Sequence, residues 1–243
     1  MPNVLKKAYD ATWGKYVFAG MYDKFLAKVE ASGLSEKRAE MLKPAYGRTI
    51  ELGTGTGLNL RHYPDAVTEL VLTEPYAPMV VKLEEKTRDY PKPVQLTVAG
   101  AEKLPFPDAS FDTIAAAMIM CTVRDPSVVL AEIERVLKPG GQYLFLEHVR
   151  NPDPRVARKQ DIIQKGWYWF GNECHCNRPT VETLRGSSLV IEEMKEDKIP
   201  GAWEFIEAMV IGRAVRPDNA TAAKATARTN GKGASVATPC TDC

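Results

Sequence analysis

Glu51-Leu52-Gly53-Thr54-Gly55-Thr56-Gly57 closes a short strand-like stretch that begins at Arg48, and Glu74 comes 21 residues after Gly53. Glycines at alternate positions let the backbone turn tightly and approach a ligand with no Cβ in the way. The pattern predicts a strand over Arg48–Gly53, this turn, and then a helix whose first N–H groups point at the ligand. A dinucleotide fingerprint is G-x-G-x-x-G, whereas here the third glycine comes one residue early, with Asn59 and Leu60 beyond it. That spacing argues against a pyrophosphate. Glu74 ends a second short run, Glu69–Thr73, where a carboxylate in a βαβ unit accepts from both hydroxyls of a ribose. The plainer reading, a tight turn and an ordinary exposed acid, uses neither feature.

Working outward, the two hydrophobic periods alternate through residues 1–215, which is the pattern of strands joined by helices. Tyr22, Phe25, Leu26 and Val29 make one helical stripe before the glycine turn. After it come a helix at 76–88 and strands at Val94–Ala99 and Thr113–Met120. Asp125-Pro126 caps a helix whose buried face is Val129, Ile133, Val136 and Leu137, and Pro139-Gly140-Gly141 stops it before a strand at Gln142–Glu147. Two late β-like runs, Leu189–Met194 and Phe205–Val215, are able to pair antiparallel. The expected fold is α/β: a Rossmann-like, doubly wound, mostly parallel seven-stranded sheet with an antiparallel last strand pair and an N-terminal helical cap over 1–47.

The chain has 243 residues, 44% hydrophobic and 26% charged, with a formal net charge of +1. This composition suits one globular domain, here 1–215, and offers no charge excess that would select nucleic acid or an anionic membrane. No apolar run reaches the roughly 18 residues of a membrane span, and the first residues lack the apolar core of a secretion signal. The expectation is a cytoplasmic chain with no integral membrane segment; its oligomeric state is not readable. Five cysteines, Cys121, Cys174, Cys176, Cys240 and Cys243, are too sparse and odd in number for a disulfide framework. From Arg216 onward the only apolar residues are Ala, Val and Cys, so 216–243 is expected to be a disordered tail.

E-L-G-T-G-T-G, the acid Glu74, the run A-E-K-L-P-F-P-D-A-S-F-D from Ala101 to Asp112, and R-V-L-K-P-G-G from Arg135 to Gly141 resemble, in order, the motifs of class I S-adenosylmethionine-dependent methyltransferases. The resemblance implies S-adenosylmethionine as cofactor. It implies that Gly53, Gly55 and Gly57, with Thr54 and Asn59, pack on its methionine part, that Glu51 faces its amino end, and that Glu74 and Pro75 hold the ribose. Ala101 and Glu102 would border the adenine, and Met120 and Cys121 are further expected cofactor contacts. Many relatives have an Asp before the Ala-Glu pair, and this chain has Gly100 there.

M-I-M-C-T-V-R-D from Met118, E-H-V at Glu147–Val149, and Gly171, Cys174 and Arg178 further resemble the methyltransferase-like seven group, S-methyltransferases of alkyl thiols. Similar core motifs occur in quinone-related C-methyltransferases. The resemblance therefore implies methyl transfer to a small-molecule thiol by in-line displacement, the alternative being a carbon or oxygen of a quinone-like or phenolic metabolite. Animal members of the group carry an apolar N-terminal segment that this chain's start does not match.

Transfer from a sulfonium asks mainly for alignment, desolvation and a deprotonated nucleophile. An acceptor pocket belongs beyond the carboxyl ends of the strands, near Cys121, Thr122, Glu147 and His148. His148 is the candidate catalytic residue, as base or as donor to a thiolate, because histidine changes charge near neutral pH; the plainer alternative is a strand-end histidine held by a carbonyl. Cys121 reads as a small packing residue. Trp167, Tyr168, Trp169 and Phe170 lie in an acceptor-side insert, 151–180, and either cover the pocket or pack the insert onto the sheet. Cys174-His175-Cys176 has no second ligand pair at the usual spacing unless Cys240 and Cys243 fold back, so no metal ligand is expected.

Overall fold

A computed structural model describes residues 19–218; the rest, and the side chains of Tyr22 and Phe25, lie outside the described residues. The cap residues within it form α1 (Ala19–Val29) and α2 (Ser35–Leu42), joined through a turn at Glu30–Leu34 where Gly33 takes φ +121°. Seven strands follow: β1 (Gly47–Leu52), β2 (Val67–Thr73), β3 (Val94–Thr97), β4 (Phe111–Ala117), β5 (Leu137–His148), β6 (Val190–Lys198) and β7 (Ala208–Val215). They make one sheet in the order β3-β2-β1-β4-β5-β7-β6. The pairs among β1 to β5 are parallel, while β7 is antiparallel to both β5 and β6. This is the doubly wound, mostly parallel sheet that the alternating periods predict.

The remaining helices are α3 (Ala77–Thr87), α4 (Pro126–Val136), α5 (Pro154–Phe170) and α6 (Thr180–Arg185). Asp125 caps α4 by accepting from the Ser127 N–H at 2.8 Å, a contact of a type that contributes about 1 kcal/mol. Val129, Leu130, Ile133 and Val136 pack on one face of the sheet with Ile50, Leu52, Ile114, Tyr143 and Phe145. The opposite face, with Leu70, Leu72, Leu144 and Leu146, is covered by Leu34, Met41 and Leu42 of the cap and Leu83 of α3. Successive strand residues thus enter different cores, as the period of two requires.

Several boundaries differ from expectation: the strand expected at Thr113–Met120 spans Phe111–Ala117, the one expected from Phe205 begins at Ala208, and three further differences lie at the glycine turn, at β5 and after β7. No helix opens at the glycine turn: residues 55–59 are turns, and only a 3-10 turn at Leu60–His62 follows. Pro64 holds Tyr63 extended (φ −69°, ψ 126°), which leaves too few residues for a helix. β5 begins at Leu137, directly after α4, and continues through Pro139-Gly140-Gly141 by way of an irregularity, with Gly140 at φ +77°, that shifts its pairing with β4 between Leu137 and Gln142. The sheet's pairing also passes the expected tail boundary, since Arg216 exchanges backbone hydrogen bonds with Gly140 and Gly141 at 2.9 Å each. Residues 219–243 of the expected tail lie outside the described residues. No helix among the described residues is long and apolar enough to cross a membrane.

Candidate active site

The glycine turn leaves β1 at the sheet's carboxyl edge, with Gly53, Gly55 and Gly57 at φ +59°, +60° and +80°. A Cβ on Gly53 would lie 2.6 Å from Ile119 Cγ2, so both backbone shape and space require glycine. Glu74 is buried at the end of β2, and its carboxylate accepts from the Gly55 N–H at 2.8 Å and the Tyr76 N–H at 2.9 Å. Burial raises its proton affinity, and the two N–H groups partly offset this. Each oxygen keeps a free lone pair, so the carboxylate is able to accept from a ribose diol. A glycine turn at positive φ with an acid at the next strand end fits a nucleoside-linked methionine. Pro75 sits exposed beside it.

Glu51 and Asn59 are engaged with each other. Glu51 accepts from Asn59 Nδ2 at 3.0 Å and from the Tyr63 hydroxyl at 2.6 Å, while Arg38 donates to Asn59 Oδ1 at 3.0 Å and Glu30 Oε1 at 2.9 Å. Burial pushes the Glu51 carboxyl up to about 7, against the lowering pull of Tyr63, Asn59 and Arg38. The cap therefore braces the turn through α2, a link no motif announced, since Arg38 reads as an ordinary helix-surface charge. Ala101 is buried, and Glu102 accepts from the Arg124 N–H at 2.9 Å.

β4 ends where Met118 adopts φ +59°, and the chain then turns back across β5. The Glu147 carboxyl captures that turn, accepting from Ile119 N at 3.4 Å and Met120 N at 3.1 Å. It is fully buried, and desolvation pushes its pKa to about 8 despite the two N–H groups, so it is largely neutral at pH 7. Thr122 Oγ1 donates to the Ile119 carbonyl at 2.9 Å, inside the same turn.

His148, the last residue of β5, is buried; its Nδ1 lies 3.8 Å from Cys174 Sγ and its Nε2 has no partner. Cys174 comes from the loop after α5 and also meets Cys121. Cys121 Sγ donates to the Met118 carbonyl at 3.6 Å; the contact between the two thiols raises Cys121 well above the ordinary range and lowers Cys174 well below it, with His148 and Trp167 adding to the second effect. Cys174 and Cys176 do not act together. Cys176 Sγ turns instead to Gln160 O at 3.7 Å and Gln164 Oε1 at 3.2 Å. Cys240 and Cys243 lie outside the described residues.

Trp167 packs against Trp203 at 5.9 Å and Phe205 at 5.1 Å between ring centroids, so it fastens the insert to the β6–β7 connection. The expected site residues thus divide into two groups: a cradle at β1 and β2, and a sulfur–imidazole cluster at the ends of β4 and β5. Ile119 joins them, touching the Gly53 position while its N–H is held by Glu147.

Residues 50–145 match the methyltransferase domain family. The chain is 30% identical to phosphatidylethanolamine N-methyltransferase of Cereibacter sphaeroides over 166 residues, covering 65% of this chain and 81% of the relative. It belongs to the class I S-adenosylmethionine-dependent methyltransferases. It is also similar to thiol S-methyltransferase TMT1B of Homo sapiens, 27% identical over 212 residues, covering 83% of this chain and 85% of that one. A geranyl diphosphate methyltransferase in complex with S-adenosylmethionine shares the fold, with a TM-score of 0.59 at 18% identity over 76% of this chain and 85% of that one. S-adenosylmethionine is accordingly the cofactor of this methyltransferase, and Glu74 with the glycine turn is the part of the chain that fits it.

Proposed function

We propose that this methyltransferase methylates the sulfur of a small-molecule thiol. The observation that carries the reading is the extent of the likeness to TMT1B. The family match ends at residue 145, within the cofactor half, whereas 212 residues align with the thiol S-methyltransferase and so include acceptor-side sequence.

The chemistry at the ends of β4 and β5 agrees. When bound, the cofactor supplies an already activated methyl group. Glu74 holds the ribose, and Gly53, Gly55 and Gly57 line the methionine part. Ala101 and Glu102 border the adenine, and Met120 and Cys121 lie where the cofactor's methyl group meets the acceptor. The Glu147 carboxyl is neutral at pH 7 and committed to backbone, so it does not serve as the base an unactivated alcohol would demand. A thiol with a pKa of roughly 8.5 needs only modest help. His148 gives it, as base or as hydrogen-bond donor to the thiolate, with the acceptor excluded from water by the insert.

The test is an end-point assay with S-adenosylmethionine and four acceptors: an alkyl thiol, an aromatic thiol, a phenol and a quinol. S-adenosylhomocysteine release and one added methyl on sulfur alone is the expected result. Methylation of the phenol or quinol in place of the thiols would move the enzyme to the quinone-like alternative.

A further inference from the structure

Cys121, His148 and Cys174 come from the turn after β4, the end of β5 and the loop after α5, and all three are buried. Their ligand atoms, Cys121 Sγ, His148 Nδ1 or Nε2 and Cys174 Sγ, lie within 4.8 Å of one another. Tetrahedral zinc, with Zn–S about 2.3 Å and Zn–N about 2.0 Å, sets sulfur–nitrogen edges of roughly 3.5 Å and sulfur–sulfur edges of roughly 3.8 Å. The Cys174 Sγ to His148 Nδ1 separation is already 3.8 Å.

The backbone around the three is fixed by other bonds. His175 N–H donates to the Cys121 carbonyl at 2.8 Å, and Arg178 Nη1 donates to the Met120 and Val123 carbonyls at 2.6 Å each. Glu147 holds the turn from β5. Ligand-bearing segments clamped in this way lose little freedom when an ion arrives. With Cys176 turned to Gln160 and Gln164, the set among the described residues numbers three. Structural zinc sites close with four protein ligands; three leave a position open for chemistry.

We propose that Cys121, His148 and Cys174 form a three-ligand zinc site whose fourth position takes the acceptor sulfur as its thiolate. Two cysteine thiolates, a neutral imidazole and one bound thiolate around a divalent ion leave a single negative charge, and the Arg178 guanidinium lies close enough to both cysteines to offset it. When the acceptor binds, its S–H bond breaks, the sulfur–zinc bond forms and the proton goes to solvent, with no change of oxidation state. His148 binds through Nδ1 and keeps Nε2–H as a donor. The thiolate sulfur forms its bond to the methyl carbon as the sulfonium's carbon–sulfur bond breaks, releasing S-adenosylhomocysteine; the neutral thioether is a poorer ligand, so its sulfur–zinc bond breaks and it leaves. Occupation of the fourth position rests on the thiol reading above; the three-ligand site does not.

The experiment uses the full chain carrying Cys240→Ser and Cys243→Ser, prepared under a non-thiol reductant, with zinc or cobalt(II) added and the excess removed by dialysis. The expected result is about one zinc per chain, with four-coordinate visible bands and a thiolate charge-transfer band in the cobalt form. Cys121→Ser, Cys174→Ser and His148→Gln should each weaken binding by more than the roughly 10–100-fold that loss of an outer partner costs. Adding an alkyl thiol without cofactor should shift the visible bands. Absence of bound metal in the parent overturns the site without needing any variant to fold, as does a Cys121–Cys174 disulfide that survives the reductant. Thiol methylation by metal-free protein overturns the inference while the proposed function stands. Cobalt bands unmoved by thiol overturn the open-position assignment, and phenol methylation in the acceptor panel marks failure of the thiol reading itself.

Discussion

Replacing Glu147 by glutamine separates the cost of a buried carboxyl from the bonds it makes. Its proton affinity rises from an ordinary glutamate's 4.5 to about 8, chiefly through burial. The folded pKa is the higher one, so the group favours folding in its protonated form. Its contribution is greatest below the unfolded pKa and is lost as pH rises toward the folded one. Between those limits wild-type stability falls by about 1.4 kcal/mol per pH unit on this account, roughly 5 kcal/mol in all. The amide of Glu147→Gln keeps the shape but cannot ionise. Its NH2 also opposes one of the Ile119 and Met120 N–H donors, at a cost of about 1–2 kcal/mol. Urea unfolding should therefore find Glu147→Gln less stable than the parent by about 1 kcal/mol near pH 4.5, equal near about pH 5.6, and more stable by about 2 kcal/mol near pH 7.5. Parallel stability curves for the two proteins would refute the argument, because they would mean that Glu147 does not exchange its proton on unfolding in this range.

Three further substitutions probe the site. Glu74→Ala removes a charged acceptor for two ribose hydroxyls, and at about 1.5 kcal/mol for each bond calorimetry should find S-adenosylmethionine binding weakened about a hundredfold; unchanged affinity would discard the ribose role. Gly55→Val places a β-branched residue at φ +60°, so cofactor binding should be lost and the melting temperature lowered by several degrees, while far-ultraviolet circular dichroism keeps its shape; a variant that binds like the parent would mean that the cradle is not the cofactor's seat. His148→Ala should lower kcat by about a hundredfold with cofactor affinity kept, and an unaltered rate would remove His148 from the reaction.

The fold was legible because its signals are local. The helix over Pro126–Val136 has its cap, its proline and its apolar face within a dozen residues, and it appears where the sequence predicts it. The glycine turn was equally clear, since positive φ is a property of one residue and its neighbours. The predicted helix after it failed for a reason that also lay in the sequence. Pro64 stands too close behind Gly57, and a period count alone does not register the missing donor. The start of β5 failed differently: the stretch 137–141 joins the strand only because β4 and the backbone at Arg216 pair with it, and neither partner is local.

The site shows the same division. Glu74 ends the strand that follows β1 in the chain and pairs beside it, so its position could be counted out from Gly53. Arg38, Asn59, Glu51 and Tyr63 form one buried network, yet Arg38 sits on a helix that packs there by tertiary contact. The cysteines carry the sharpest case. In the sequence Cys174 and Cys176 look like the pair, because they are two residues apart. In the fold, the His175 N–H and the Arg178 guanidinium, bonded to carbonyls of the turn after β4, turn Cys174 toward Cys121, 53 positions away, and leave Cys176 to Gln160 and Gln164. Adjacency along the chain misidentified the partners, because partners for a buried thiol are chosen by whichever segments the backbone clamps together. Reading a candidate metal or redox site from cysteine spacing works when the ligands share a turn; here the ligands share only a sheet edge, and the clamp residues Glu147 and Arg178 had to be found before the cluster could be.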